Sequence, residues 1–192
     1  MPRTKSFDEV ETLDKAMNVF WQKGYNGTPP QDILEGTGLS RSSLYDTYGD
    51  KHSLFLKALR RYRQSATSAA IQYLDEAADP GQAIRRIFHG TYEAMMTGRP
   101  RKGCFMVNTL NEVAPHDEEV ESIIRENRQA LEDAYARAIK RGQQQGQISR
   151  DRQPRALARY FINSLWGLTT NIKLGIDKKT ADDIVRITLS AL

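Results

Sequence analysis

The chain has 192 residues, of which 39% are hydrophobic, and a formal net charge of +4. That length suffices for one large hydrophobic core or two modest ones, and the mild basic excess alone does not indicate nucleic-acid binding. A single cysteine excludes an intramolecular disulfide, and no apolar run approaches membrane-spanning length, so we expect a cytoplasmic protein.

Turn and cap residues divide the first part of the chain into four helices. These residues are Gly24, Thr28, Pro29, Gln31, Gly38, Ser40, Gly49 and Asp50. Thr28 is predicted to cap the second helix, with Gln31 at the spacing of a capping box. Ser40 caps a third helix that ends before Gly49 and must dock on its neighbours, because so short a helix is unstable alone. Two short helices around a glycine turn predict a helix-turn-helix, whose second helix can enter the DNA major groove.

The third helix has an apolar side and a polar side. Leu39, Leu44 and Tyr48 are predicted to hold it against the neighbouring helices. The outward residues are Arg41, Ser42, Tyr45 and Asp46. Side chains of this kind contact base edges and phosphates, although they can equally form an ordinary solvated helix face.

The segment from Leu39 to Phe55, LSRSSLYDTYGDKHSLF, resembles the recognition helix and following helix of TetR/AcrR-type bacterial transcriptional regulators. The likeness extends over about residues 8–56. It implies an all-α homodimer in which an N-terminal three-helix helix-turn-helix DNA-binding domain precedes a larger helical ligand-binding and dimerisation domain. We therefore predict these domains over residues 1–52 and 53–192, with a long helix over 50–75 linking them. Such proteins are usually repressors that a small-molecule inducer releases from a palindromic operator.

Matched position by position, the resemblance implies a set of contacts to double-stranded DNA. The set is Thr28, Gln31, Ser40, Arg41, Ser42, Ser43, Tyr45, Thr47 and Lys51. Arg41 matches the base-reading start of the recognition helix, whereas Tyr45 and Lys51 match positions that contact phosphate. Since phosphate contacts position a protein and base contacts specify the sequence, Arg41 is the strongest candidate for sequence readout.

The rest of the chain predicts long amphipathic helices, because its apolar residues recur at the helical period. The last two, starting at Pro154 and Lys178, are apolar on more than one side. By resemblance they form a four-helix dimer interface, although a wider core within one subunit would give the same pattern. The predicted interface residues are Leu157, Phe161, Leu165, Leu168, Ile172, Ile184 and Ile187.

The inducer can be a small molecule or a reagent that modifies Cys104. Cys104 lies near a helix start after Arg101 and Lys102, and both features favour a reactive thiolate. The pattern around it, GCFMVN, resembles a TetR subgroup in which some members sense electrophiles or oxidants through cysteine. The alternatives are a buried small hydrophobe or the lining of an ordinary apolar pocket. The predicted pocket residues are Phe88, Tyr92, Met95, Met96, Cys104, Phe105, Asn108, Tyr160, Asn163 and Trp166.

An enzyme and a purely protein-binding adaptor are the rival classes. The three histidines have no metal-binding spacing, and neither a P-loop nor a GxGxxG motif is present. Cys104 as a nucleophile, with His89 or His116 as its base, is supported by residue type alone. We therefore predict no catalytic residue, no metal and no cofactor. Salt-dependent binding to a short palindrome separates a regulator from both rivals.

Overall fold

The computed structural model describes residues 7–97 and 101–192, which contain helices, turns and loops but no strand. The helices are α1 (Glu9–Lys23), α2 (Pro30–Thr37), α3 (Arg41–Tyr48), α4 (Lys51–Tyr62), α5 (Ser68–Glu76), α6 (Pro80–Thr97), α7 (Phe105–Glu112), α8 (Glu118–Gln144), α9 (Pro154–Leu174) and α10 (Lys178–Leu189). A 3₁₀ turn over Ala114–His116 precedes α8. The predicted all-α fold, with a helix-turn-helix before a larger helical domain, is confirmed.

The ends of α3 and α4 follow the predicted cap chemistry. Ser40 Oγ accepts a hydrogen bond from the Ser43 amide at 3.2 Å, and Asp50 Oδ1 accepts one from the Ser53 amide at 2.7 Å. Gly38 ends α2 in the left-handed conformation, with φ +74, which side chains rarely adopt. Gly38 and Ser40 thus end α2 and start α3 close together in the chain, which gives the tight turn of the helix-turn-helix.

The predicted capping box at the start of α2 is wrong. Thr28 is completely buried, and its hydroxyl donates to the Gly24 carbonyl at 2.5 Å rather than capping α2. The cap position falls on Pro29, which has no side-chain cap bond, and the Gln31 side chain bonds Glu35 instead. Proline fixes its own φ and keeps the preceding residue out of the helical region, so the helix starts one residue later than predicted.

The long helix predicted over residues 50–75 is present as α4, a π-helical turn (Arg63–Thr67) and α5. A π turn interrupts the regular backbone hydrogen-bond pattern of an α-helix. Two serine side chains bond carbonyls at this break: Ser65 Oγ donates to the Arg61 carbonyl at 3.0 Å and Ser68 Oγ to the Arg63 carbonyl at 3.2 Å. Local side-chain bonds of this kind support the break.

One hydrophobic cluster joins the N-terminal helices to the larger helical part. Phe20 of α1 packs against Phe55 of α4 with ring centroids 5.0 Å apart, and Phe55 packs against Phe105 of α7 at 5.9 Å. The same cluster includes Val120 and Ile124 of α8. Through α1 and α4, the N-terminal helices are therefore packed directly on α7 and the first half of α8.

A second cluster forms the core of the larger part, where α9 packs against α6, α8 and α10. Most residues predicted for a dimer interface lie inside it: Leu157, Phe161, Leu168 and Ile172 are at most 3% exposed. Their assignment to a partner surface is wrong, because the broad apolar stripe of α9 is already covered within the subunit. Leu165 and Ile184 are partly buried, whereas Ile187 is 57% exposed.

Candidate DNA-contacting face and ligand cavity

The recognition helix α3 packs its apolar side against the neighbouring helices and exposes its polar side. Leu44 and Tyr48 are buried against the neighbouring helices, and the Tyr48 hydroxyl donates to the Glu9 carbonyl of α1 at 3.1 Å. Arg41 and Ser42 are exposed. The docking that makes a short helix stable thus leaves its first turn free for contacts with another molecule.

Several of these polar side chains are ordered by one another before any partner binds. Ser40 Oγ lies 3.1 Å from Ser42 Oγ and donates to Ser43 Oγ at 2.9 Å. The Arg41 guanidinium lies 5.9 Å from the centre of the Tyr45 ring, within the range of a cation–π contact. Such preorganisation reduces the entropy lost when a surface binds.

Lys51, the residue predicted to contact the DNA backbone, stands over the Tyr25 ring at 4.5 Å. Partial burial lowers the pKa of its ammonium group from the usual value. Among the other predicted contacts, Gln31 is exposed and Thr47 half-buried. Thr28 is wrong as a side-chain contact, since its hydroxyl is enclosed in the α1–α2 turn.

Three polar contacts that sequence reasoning missed join the N-terminal helices to the larger part. The Glu112 carboxylate at the end of α7 accepts hydrogen bonds from the amides of Tyr25 and Asn26, at 3.1 and 2.7 Å. His52 Nε2 lies 2.6 Å from Asp117 Oδ2. Trp21 Nε1 donates to the Gly103 carbonyl at 3.1 Å. No local pattern indicates these contacts, because the partners are 65 to 87 residues apart in sequence.

A cavity of about 550 Å³ lies between the N-terminal helices and the larger part. Its lining is Trp21, Tyr62, Ala66, Thr67, Ala70, Ile87, Thr91, Ala94, Met95, Arg101, Lys102, Gly103, Cys104, Met106, Asn127, Leu131, Tyr135, Ile162, Leu165, Trp166 and Thr169. This volume falls within the range of small-molecule sites, which are mostly apolar with a few polar groups. The π turn contributes Ala66 and Thr67 to the wall.

The sequence predicted this cavity only in part. Met95, Cys104 and Trp166 line it, as predicted. The other residues predicted for a pocket do not line this cavity: Phe88, Tyr92, Met96, Phe105, Asn108, Tyr160 and Asn163. Phe88 and Phe105 fill the two hydrophobic clusters, and Tyr160 is exposed on the outer side of α9. Helical periodicity identifies an apolar stripe but does not tell a tightly packed side chain from one that borders a void.

Some polar side chains of the cavity have hydrogen-bond partners, and one does not. Thr67 Oγ1 donates to Asn127 Oδ1 at 2.8 Å, so these two side chains satisfy each other. The Tyr135 hydroxyl has no partner, and in the part of the chain that the structure describes it is the sole buried side-chain polar atom in that condition. Burial raises the pKa of this hydroxyl, so it is protonated and able to donate.

Of the two alternatives for Cys104, the surroundings of the thiol favour the small hydrophobe over the reactive thiolate. Cys104 stands at the start of α7, where its sulfur lies 3.7 Å from the Tyr62 hydroxyl. Burial raises the pKa of the thiol above its ordinary value, and the hydrogen bonds around it only partly offset this effect. Desolvation in this largely apolar environment thus disfavours the thiolate.

Within residues 7–97 and 101–192, no group of three or more His, Cys, Asp or Glu side chains is placed to hold a metal ion. No helix in those ranges combines the length and apolar character that crossing a bilayer requires.

Comparison with known proteins agrees with the helix-turn-helix geometry. The family model described as "Bacterial regulatory proteins, tetR family" matches residues 13–58, and "Tetracyclin repressor-like, C-terminal domain" matches residues 80–188. The HTH-type transcriptional regulator YezE of Bacillus subtilis is 36% identical over the whole of both chains. The HTH-type transcriptional repressor ComR of Escherichia coli is 26% identical, over 97% of this chain and 90% of its own length. A cysteine mutant of the TetR-family regulator CifR, solved with operator DNA, superposes with a TM-score of 0.86, at 25% identity over 98% of this chain and 99% of its own.

Proposed function

The chain belongs to the TetR family of bacterial regulatory proteins, and from that membership we propose that it is a ligand-responsive repressor acting in the cytoplasm. It is a transcriptional regulator and not an enzyme. On this proposal a homodimer binds a palindromic operator, and a small molecule in the cavity releases it. We retain residues 1–52 as the DNA-binding domain and residues 53–192 as the ligand-binding and dimerisation domain.

The observation that carries the DNA-binding proposal is the exposed first turn of α3, with its underside locked by Leu44 and Tyr48. Arg41 is suited to read a base edge, since a guanidinium matches the two acceptors of guanine in the major groove. Tyr45 and Lys51 are suited to phosphate. The solved complex of CifR with operator DNA supports DNA binding by this chain.

The dimer is proposed to form through the outer faces of α9 and α10. Tyr160 and Leu174 on α9 and Ile187 on α10 are 42%, 83% and 57% exposed. Large apolar side chains at such exposure are typical of a surface that a partner covers. A two-fold dimer presents two copies of α3, about one DNA turn apart, to an inverted repeat.

Release is proposed to work through the cavity, because its wall includes Trp21 of α1 and Tyr62 of α4 as well as the larger helical part. A ligand shifts a conformational equilibrium only by its difference in affinity for the two states. A ligand in this cavity would touch helices on both sides, so any change in their relative position alters its contacts directly.

Modification of Cys104 is a second route to release, favoured by the position of the thiol on the cavity wall. The raised pKa of this thiol weighs against fast reaction with a free electrophile. A reagent that first binds in the cavity would overcome this, since proximity substitutes for intrinsic reactivity. Cys104→Ser separates the two routes. The variant should still bind DNA in either case, but it should no longer be released if release depends on covalent modification of Cys104.

The first experiment is selection of DNA from a random pool by the purified protein, followed by titration at several salt concentrations. We expect an inverted repeat bound by two protomers, with affinity that falls as salt rises because Lys and Arg displace counterions from phosphates. Equal affinity for the selected repeat and for a scrambled duplex would reject sequence-specific repression.

A further inference from the structure

The unpartnered hydroxyl of Tyr135 is the feature of the cavity that calls for a ligand. Tyr135 is 1% exposed and lines the cavity from α8, yet its hydroxyl has no hydrogen-bond partner within residues 7–97 and 101–192. Leaving a buried polar atom without a partner is unfavourable, and proteins seldom do so without a functional reason. A phenylalanine would fill the same space without that cost. The hydroxyl is itself enclosed in the free chain, so a ligand reaches it by displacing a neighbouring side chain, and a ligand that then bonds it accounts for the tyrosine.

The charge in the cavity wall is of one sign. Arg101 and Lys102 both line the cavity, and among the residues that the structure describes no Asp or Glu lines it. Lys102 is already engaged, since its ammonium bonds Asn18 Oδ1 at 3.1 Å and stands 5.3 Å from the Trp21 ring. No ion pair of Arg101 occurs among the described residues. Arginine binds carboxylates through two parallel hydrogen bonds, which makes Arg101 suited to an anionic ligand.

We propose that the cavity binds an amphipathic aromatic carboxylate, whose carboxylate pairs with Arg101 and whose second polar group accepts a hydrogen bond from the Tyr135 hydroxyl. The apolar body lies between, against Met95 and Trp166. This inference rests on the proposed function only in identifying the cavity as the inducer site. The mostly apolar wall, with polar groups few and specific, matches the way small-molecule sites fix the orientation of a ligand.

The protein carries its own reporter for this site. Both of its tryptophans, Trp21 and Trp166, line the cavity. Occupancy is therefore measurable by tryptophan fluorescence of the full chain, and independently by calorimetry, with no DNA present. Binding at the cavity and release from DNA thus become separate measurements.

The test uses matched probes on benzene, naphthalene and biphenyl scaffolds, so that several separations of the two polar ends are sampled. Each scaffold is prepared as the hydroxy acid, as the acid without the hydroxyl, and as the hydroxy amide. On at least one scaffold we expect the hydroxy acid to bind about tenfold more tightly than either deletion, because each deletion leaves a buried polar or charged group unpaired.

Two variants test which protein side chain contacts each polar group of the probe. Tyr135→Phe should abolish the advantage given by the probe hydroxyl, and Arg101→Gln should abolish the preference for acid over amide. Tyr73→Phe and Arg86→Gln, at exposed positions outside the cavity, are the controls and should leave both preferences unchanged. Removing one partner on the protein and one on the probe should give non-additive losses if the two groups meet. Because the probe deletions make the same comparison on unmodified protein, a variant that folds poorly does not remove the test.

Equal affinity for the acid and the amide probe would overturn the pairing with Arg101. Equal affinity for the probes with and without the hydroxyl would overturn the bond to Tyr135. Absence of binding on all three scaffolds at millimolar concentration would overturn the ligand class. If a probe fills the cavity but leaves DNA bound, the site stands and the proposed release mechanism fails. If DNA is not recognised at all, the repressor proposal fails while the fluorescence result is unaffected.

Discussion

Replacing Glu112 by glutamine removes the charged acceptor that joins α7 to the turn between α1 and α2. The carboxylate accepts two backbone amides, from Tyr25 at 3.1 Å and from Asn26 at 2.7 Å. It also lies close against Gly24, where an added Cβ would stand 2.6 Å from Oε2. A glutamine retains one acceptor oxygen, but its amino group would face the second backbone N–H, and donor cannot bond donor.

Losing hydrogen bonds to a charged acceptor costs about 1.5–3 kcal/mol each, and less where water replaces the acceptor. The Tyr25 bond is partly buried and the Asn26 bond exposed. We therefore expect Glu112→Gln to lower the free energy of unfolding by about 1–3 kcal/mol. At roughly 2–4 °C per kcal/mol for a chain of this size, the Tm should fall by several degrees. Faster hydrogen exchange at the Tyr25 and Asn26 amides locates the effect.

Glu126→Gln is the matched control. Glu126 is 59% exposed and forms an ion pair with Arg63, which is 35% exposed. Its loss should cost less than about 1 kcal/mol, as for other surface pairs. If the two variants lower the Tm equally, or if the Tyr25 and Asn26 amides stay protected in Glu112→Gln, then the Glu112 contact does not hold this turn in place.

Three further predictions concern base readout, acid stability and thiol reactivity. Arg41→Ala should weaken operator binding by about 1–3 kcal/mol and relax preference at one base pair per half-site, measured by titration of base-substituted operators; unchanged specificity would reject the assigned groove contact. Hydrogen bonds from Arg61 hold the pKa of Asp14 below its usual 3.8, so its stabilisation is complete above that value and is lost as pH falls through the lower folded-state pKa. Asp14→Asn should therefore make the free energy of unfolding depend less steeply on pH below about 4, and the same pH dependence in both proteins would contradict this. Cys104 should alkylate with iodoacetamide more slowly than a free thiol at pH 7, with a rate that rises through the alkaline range; a fast, pH-independent rate near neutrality would indicate a thiolate.

The N-terminal helices could be predicted well because their signals are local. Ser40, Asp50 and Gly38 act within a few residues of themselves, and each has its predicted role in the structure. Thr28 fails for an equally local reason. A second proline after Pro29 allowed two starting points for α2, and the chain uses the later one, which leaves Thr28 inside the preceding turn.

The cavity could not be predicted to the same extent, because it depends on how helices are spaced and not on how each is patterned. Asn127, Leu131 and Tyr135 recur every four residues along α8 and all line the cavity. That row was visible in the sequence, but the same row would serve a packed core. Similarly, the stripe on α9 was recognised as apolar, yet only the packing of α6, α8 and α10 around it decides that it faces inward. Tyr135 stands apart because its hydroxyl lacks a partner in the described part of the chain, and only the folded structure can show this.

The two ends of α7 bear on how a ligand could alter DNA binding. At its start, Cys104 and Met106 line the cavity, and Trp21 of α1 bonds the Gly103 carbonyl just before it. At its end, Glu112 holds the turn that leads into α2. Since Trp21 belongs to α1 and itself borders the cavity, a bound molecule would lie one contact away from the DNA-binding helices. Coupling between the sites then requires no long chain of intermediates, only two positions of α1 and α7 that the ligand distinguishes.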